Sequence, residues 1–185
     1  MQWHLQKKTT LFESSPFALE KLDLASASTG QALSHPYYRM RAPDWVNIVP
    51  ITTSGEIVLI RQPRAGNLAV TLEIPGGVVD GHETSPEGAA LRELEEETGY
   101  AASGATSLGS VNPNPALMTN TLHMFVATRV SLAEERRHFP DENEEIEIVL
   151  VSPQQLDDLL RKGGIQSALA ALTLYKAKNL WNPQG

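Results

Sequence analysis

Between Glu83 and Glu97 the chain carries six glutamates, and four of them, Glu93, Glu95, Glu96 and Glu97, fall within the last five positions. A helix through this stretch puts Glu93 and Glu97 one turn apart, with about 6 Å between the bases of their side chains. Glu96 stands beside them, three residues after Glu93. Three like charges on one face repel unless something positive holds them. Hard divalent cations take carboxylate oxygens of this kind. The cluster therefore reads as a Mg²⁺ or Mn²⁺ cradle suited to phosphate chemistry. A solvated acidic face is the usual meaning of a charge run. That reading leaves unexplained the glycines Gly76 and Gly77 upstream and Arg92 in register with the glutamates.

The elements that must position these side chains are visible around them. Ser85 suits an N-cap and Pro86 the first helical position. Gly99 can close the helix in a left-handed conformation. Ala90 and Leu94 lie four apart and can pack inward while the glutamates point out. Gly88 in the first turn costs roughly 1 kcal/mol against alanine. Upstream, Glu73-Ile74-Pro75-Gly76-Gly77 predicts a strand end breaking into a glycine turn. The order is strand, glycine loop, acidic helix.

Beyond this segment, residues 1–43 form one zone and residues 44–185 another. The first holds two weakly alternating stretches, near Trp3–Phe12 and Phe17–Leu24, and a Ser/Gly/Ala-rich turn at Ala25–Gly30. In the second, Trp45–Thr52 and Glu56–Gln62 read as strands around a Ser54-Gly55 turn. Thr71–Ile74, Thr106–Val111, Thr121–Val130 and Ile146–Val151 read as further strands. Two helices close the chain. The first starts near Pro153 with Leu156, Leu159 and Leu160, and the second carries Ile165, Ala168, Leu169, Leu172 and Tyr175 on one face. Strands interrupted by one helix and followed by two more predict an α/β/α sandwich around a mixed β-sheet, preceded by an N-terminal β extension.

Composition narrows the function classes. The 185 residues are 41% apolar and can bury a sizeable core. The net charge is −7, and no Lys/Arg cluster interleaves with aromatics, which argues against a nucleic-acid partner. Zero cysteines exclude disulfides and thiolate metal sites and fit a reducing compartment. The first twenty residues are too polar for a secretory signal. No apolar run approaches the roughly 18 residues of a membrane span. The expectation is a cytoplasmic protein with no membrane partner.

The segment Gly77–Tyr100 resembles the Nudix hydrolase signature. Gly77 and Glu83 keep its first spacing. Arg92, Glu93, Leu94, Glu96, Glu97 and Gly99 keep its last part, with Tyr100 at the final apolar position. Eight residues rather than the usual seven separate Glu83 from Arg92. The extra residue falls by expectation around Thr84–Ser85, at the helix start, and bears on the role of Glu83 rather than on the helix glutamates. The resemblance implies the α/β/α sandwich and Mg²⁺ or Mn²⁺ bound by Glu93, Glu96 and Glu97, with the Gly76 carbonyl as a further ligand. Arg92 is expected to fix the glutamate rotamers through paired hydrogen bonds rather than to touch substrate.

Outside that segment the resemblance is to the ADP-ribose pyrophosphatase branch, which cleaves nucleoside diphosphate sugars. It rests on Asp44-Trp45-Val46-Asn47, Val58–Arg64, Leu72–Gly77 and the acidic loop Asp141–Glu145 before Ile146–Val151. In that branch a glutamate of the late loop orients or deprotonates the attacking water. Glu142 is the first choice here and Glu144 the second, with a solvated acidic loop as the alternative. Arg64 matches an arginine that grips the diphosphate; otherwise it is an exposed loop charge. Arg61 is a weaker candidate of the same kind. Glu73 is a substrate contact, a carboxylate orienting a metal-binding one, or merely the polar face of a strand. Trp45, with Tyr37 and Tyr38 behind it, could offer a base-stacking platform or simply pack in a core or interface. His123 reads as a strand histidine. Asn120 and the loop Asn112-Pro113-Asn114-Pro115-Ala116 depart from the branch where sugar preference is usually set, leaving room for ADP-ribose, GDP-mannose or a broader range. The branch pairs its N-terminal strands with a second subunit, which implies a homodimer.

Overall fold

The computed structural model describes residues 2–83, 85–140 and 145–181. The chain divides into two compact units, Met1–Asp44 with Val111–Thr121, and Trp45–Ser110 with Leu122–Gly185.

The first unit is built on an antiparallel sheet of β1 (Trp3–Ser14), β2 (Phe17–Ser26) and β3 (Tyr37–Arg41), in that order. Ala18, Glu20, Leu22 and Leu24 alternate along β2 and are buried, whereas β1 is exposed along its whole length. The third strand was not among the predicted elements, because five residues ending in Arg39-Met40-Arg41 carry too little apolar alternation to mark one. Met40 binds the distant segment of this unit: its N–H donates to Leu117 O at 2.7 Å, and Thr119 N donates back to Met40 O at 3.2 Å. Thr121 N donates to Asp44 Oδ1 at 2.7 Å.

The second unit contains β4 (Trp45–Thr52), β5 (Ile57–Arg64), β6 (Ala69–Glu73), β7 (Gly76–Val78), α1 (Pro86–Thr98), β8 (Tyr100–Ala101), β9 (Thr106–Val111), β10 (Leu122–Leu132), β11 (Glu147–Val151), α2 (Pro153–Lys162) and α3 (Ala168–Trp181). The sheet runs β11-β5-β4-β10-β8, with β6 added to β5, β7 to β4 and β9 to β10. It is mixed: β10 is parallel to β4, while β5 is antiparallel to β4, β6 and β11. Successive residues of a strand point to opposite faces. Val49, Ile51, Ile57, Leu59 and Val126 therefore pack on α2 and α3. Val46, Ile48, Val58, Phe125 and Ala127 pack on Ala89, Ala90 and Leu94 of α1. Both faces are covered, which gives the predicted α/β/α sandwich. Burying a side chain such as Leu94 contributes roughly 1.5–3 kcal/mol.

Two local expectations are corrected. Gly76-Gly77 is not a turn but the start of β7, where Val46 pairs with Gly77 and Asn47 with Gly76. On α3 the buried residues are Ala170, Thr173, Leu174, Ala177 and Trp181, while Leu172 and Tyr175 are exposed. The helix starts at Ala168, so Ile165 lies before it, and the small residues Ala170, Thr173 and Ala177 are buried together with Leu174 and Trp181. Thr173 Oγ1 accepts from Asn47 Nδ2 of β4 at 3.4 Å.

β4 and β5 pair only at Ile51 and Ile57 and then part. β6 fills the gap beside β5 and β7 fills it beside β4, with Ile48 N donating to Pro75 O at 3.0 Å. Gly76 and Gly77 thus stand in the opening, next to α1. No described helix is long and apolar enough to cross a membrane.

Candidate active site

The sequence of α1 sets its ends. Ser85 is extended and accepts Gly88 N at 3.0 Å, Pro86 opens the first turn, and Gly99 closes the last at φ 71°, its N–H donating to Glu95 O. Ala90 and Leu94 are fully buried, as predicted. Beside them on the helix, Glu93, Glu96 and Glu97 line one cleft of about 410 Å³ with Gly76, Gly77, Arg64 and Arg92, and Glu97 is itself buried rather than pointing out as expected. Glu95 turns elsewhere, its Oε1 accepting the backbone N–H groups of Arg137 and His138. A larger cavity of about 590 Å³ at Glu87, Thr106, Thr128 and Arg129 holds none of these glutamates.

The positive group that the acidic cluster demands is Arg92. Its Nε donates to Glu83 Oε1 at 2.9 Å, Nη1 to Glu96 Oε2 at 2.6 Å, and Nη2 to Glu93 Oε1 at 2.9 Å and Val78 O at 3.1 Å. Asp80 N donates to the other oxygen of Glu83 at 2.7 Å. One planar fork thus fixes three carboxylates and the end of β7, a geometry lysine cannot supply. Burial disfavours the charged guanidinium, but the bonds to Glu83 and Glu96 and the charge of Glu93 outweigh it and raise the Arg92 pKa. Burial likewise works against ionised Glu83, yet Arg92 and the Asp80 N–H hold its pKa below the ordinary carboxylate value. The extra residue before α1 has not removed Glu83 from the cluster.

Glu97 is 5% exposed and accepts Gly76 N at 2.8 Å through Oε2. The glycines are required by space. A Cβ on Gly76 would lie 2.3 Å from Val46 O, and one on Gly77 would lie 2.2 Å from Glu93 Oε1.

The other candidates distribute unevenly. Arg64 reaches the cleft and also grips Glu73 with two bonds, Nε to Oε1 at 2.9 Å and Nη2 to Oε2 at 3.0 Å. Thr71 Oγ1 donates to the same carboxylate at 2.5 Å. Burial raises the Glu73 pKa, but Arg64 and Thr71 more than reverse this and leave it lowered. Glu73 borders a neighbouring hollow with Arg64 and Thr71 rather than the cleft itself. Arg61 faces the other way and pairs with Glu147 at 3.1 Å. Trp45 follows the same alternation as Asn47 and Val49, toward α3 and away from the glutamates. Tyr37 lies against Trp3 in the first unit, with ring centres 4.7 Å apart. Glu142 and Glu144 lie outside the described residues. Gln62, absent from the sequence-based candidates, also borders the cleft; its position two before Arg64 on one strand face was the available signal.

The donor set suits a hard divalent cation in chemistry and in place. Glu93, Glu96, Glu97 and Gly76 offer only oxygen and share one cleft. Among the described residues, however, no three Asp, Glu or His side chains are already arranged to hold an ion. Arg92 draws one oxygen each of Glu93 and Glu96 to itself instead.

Comparison with known proteins follows the same lines. A NUDIX domain model matches residues 42–171. The chain is 33% identical over 141 residues to the ADP-ribose pyrophosphatase of Bacillus subtilis (strain 168), covering 76% of this chain and 74% of that protein. It is 32% identical over 134 residues to the ADP compounds hydrolase NudE of Escherichia coli (strain K12), covering 69% of each. A crystal structure of an ADP compounds hydrolase matches 100% of this chain and 97% of its own with a TM-score of 0.83 at 27% identity. Motif, fold and relatives agree: the chain belongs to the Nudix family, as a pyrophosphohydrolase of the ADP-ribose pyrophosphatase branch.

Proposed function

We propose that the protein hydrolyses the diphosphate of a nucleoside diphosphate sugar, such as ADP-ribose or GDP-mannose, to a nucleoside monophosphate and a sugar phosphate. The observation that carries this reading is the single cleft in which Arg64 faces Glu93, Glu96 and Glu97 across Gly76 and Gly77. Arg64 supplies positive charge for one phosphate, and its two bonds to Glu73 hold the guanidinium in a fixed orientation. Arg92 keeps the glutamates in register. A Mg²⁺ or Mn²⁺ ion held by Glu93, Glu96, Glu97 and the Gly76 carbonyl would neutralise the diphosphate and activate water. Glu142, or failing it Glu144, is assigned to orient and deprotonate that water.

The apolar side chains exposed on β1 and β2, among them Trp3, Leu5, Leu11, Phe12 and Phe17, support a homodimer in which a second copy covers them. A mass near 20.2 kDa in gel filtration would sink that part of the reading. A cytoplasmic location rests on the absence of cysteine and is tested by cell fractionation.

The reaction is tested by a hydrolysis screen in Mg²⁺ and in Mn²⁺. Substrates are ADP-ribose, GDP-mannose, ADP-glucose, ATP and a dinucleoside polyphosphate, with Glu97→Gln as control. Cleavage of the diphosphate sugars, abolished in the control and by chelator, is expected. Turnover of ATP or the polyphosphate alone would overturn the substrate assignment.

A further inference from the structure

Gln62 is 6% exposed, sits on β5 and borders the cleft beside Arg64, as well as a second hollow with Arg61, Pro63 and Glu145. Alternation explains the placement. Ile57 and Leu59 point toward α2 and α3, so Val58, Gln62 and Arg64 point toward α1. The Nε2 of Gln62 is buried and has no hydrogen-bond partner among the described residues. Buried amide donors are almost always satisfied, and an orphan needs a reason. The cross-strand neighbours of Gln62 bond to other groups instead of to it. Thr71 is opposite Gln62 across β6 and directs its hydroxyl proton to Glu73. Glu73 gives both oxygens to Arg64.

We infer that Gln62 is a substrate-binding residue whose amide N–H donates to an oxygen of the diphosphate held in the cleft beside Arg64. The inference rests on the nucleoside diphosphate sugar reading above. A diphosphate fits because it brings acceptor oxygens into the cleft that Gln62 borders beside Arg64. A neutral amide fits for a second reason. A lysine here would be drawn to Glu93 or Glu96, whereas an amide donates without carrying charge.

The test uses Gln62→Met, which keeps length and removes the donor, and Gln62→Glu, which also adds a negative charge. For both and for wild type, three quantities are measured in Mg²⁺: ADP-ribose hydrolysis, thermal unfolding, and calorimetric binding of pyrophosphate and of the non-hydrolysable methylene analogue of ADP-ribose. In Gln62→Met, KM and both dissociation constants are expected to rise about tenfold, the worth of one hydrogen bond to a charged acceptor. The turnover number is expected to fall less than KM rises. The melting temperature stays level or rises, because an unsatisfied buried donor has gone. Gln62→Glu is expected to bind more weakly still. A Gln62→Met protein that binds both ligands like wild type overturns the inference, and so does one that loses several degrees of stability with unchanged affinity. Wild type that binds but does not hydrolyse ADP-ribose, with the tenfold loss still present in Gln62→Met, overturns the proposed reaction and supports the role of Gln62. Wild type that binds neither ligand overturns both.

Discussion

The backbone N–H of Gly76 donates to Glu97 Oε2 at 2.8 Å and ties β7 to the last turn of α1. A glutamine at this position still accepts through its amide oxygen, so the tie survives while the charge is lost. Glu97→Gln is therefore expected to melt within a few degrees of wild type while its turnover falls about 10²–10⁴-fold. Kinetics over a range of Mg²⁺ concentrations, beside a melting curve, check this. A variant with wild-type turnover would remove Glu97 from the chemistry.

The two glycines should separate stability from activity. At Gly76 an added methyl meets backbone, Val46 O, which cannot move aside. Gly76→Ala is expected to cost about 1–3 kcal/mol of folding stability. At Gly77 it meets the carboxylate of Glu93, the movable end of a side chain. Gly77→Ala is expected to lose activity with little loss of stability. Urea unfolding and steady-state rates on both proteins give the comparison; equal stability loss in the two would contradict it.

Arg92→Gln removes donors from Glu83, Glu93 and Glu96 together. Leaving mostly buried carboxylates without their cation is expected to cost roughly 3 kcal/mol or more. Arg92→Lys restores charge without the fork and should recover only part of it. The pH dependence follows from Glu83, whose folded pKa is depressed. Its contribution is complete above the ordinary carboxylate pKa of about 4.3 and is lost as pH falls through the folded value. The raised pKa of Arg92 matters only at strongly alkaline pH. Wild type should thus lose stability on acidification below about pH 4.3, and Arg92→Gln should lose less over the same range. Melting temperatures between pH 3 and 6 decide it.

Glu20 is 1% exposed, with Arg39 at 2.8 Å, Lys8 at 3.4 Å and Arg41 at 3.6 Å. The Arg39 bond and the surrounding positive charge outweigh burial and lower its pKa. Glu20→Ala leaves three cations facing one another across β1, β2 and β3. It is expected to loosen that sheet by roughly 2–3 kcal/mol, since its partners are partly exposed and screened. Hydrogen exchange of residues 17–26 should rise while exchange in α1 stays unchanged. Uniform change across the chain would contradict the assignment.

The helix and its ends were legible because each local signal agreed: Ser85, Pro86 and Gly99 at the ends, Ala90 and Leu94 inside; the burial of Glu97 was not, because it depends on Gly76 docking against it. The spans of β4 and β9 were equally plain. What escaped was pairing that local pattern does not encode. β7 is three residues long and exists because Val46 and Asn47 offer a partner. The face of α3 was misjudged because Ala170, Thr173 and Ala177 pack by being small, which a search for large apolar residues passes over. The destinations of Arg61 and Trp45 depended on which strand face meets α1, a choice that strand alternation leaves open until the helix is docked. Alternation with Arg64 could have pointed to Gln62, but its unsatisfied donor could not be read in advance, being a property of surroundings and not of residue type.

Met40 carries one more implication. Its two backbone bonds to Leu117 and Thr119 join the N-terminal sheet and residues 111–121 into one compact unit written in two pieces. A chimera that transplants only residues 1–44 from a relative would marry foreign β3 backbone to a resident loop. Exchanging the two pieces together would keep that backbone pairing intact and leave the glutamates of α1 untouched.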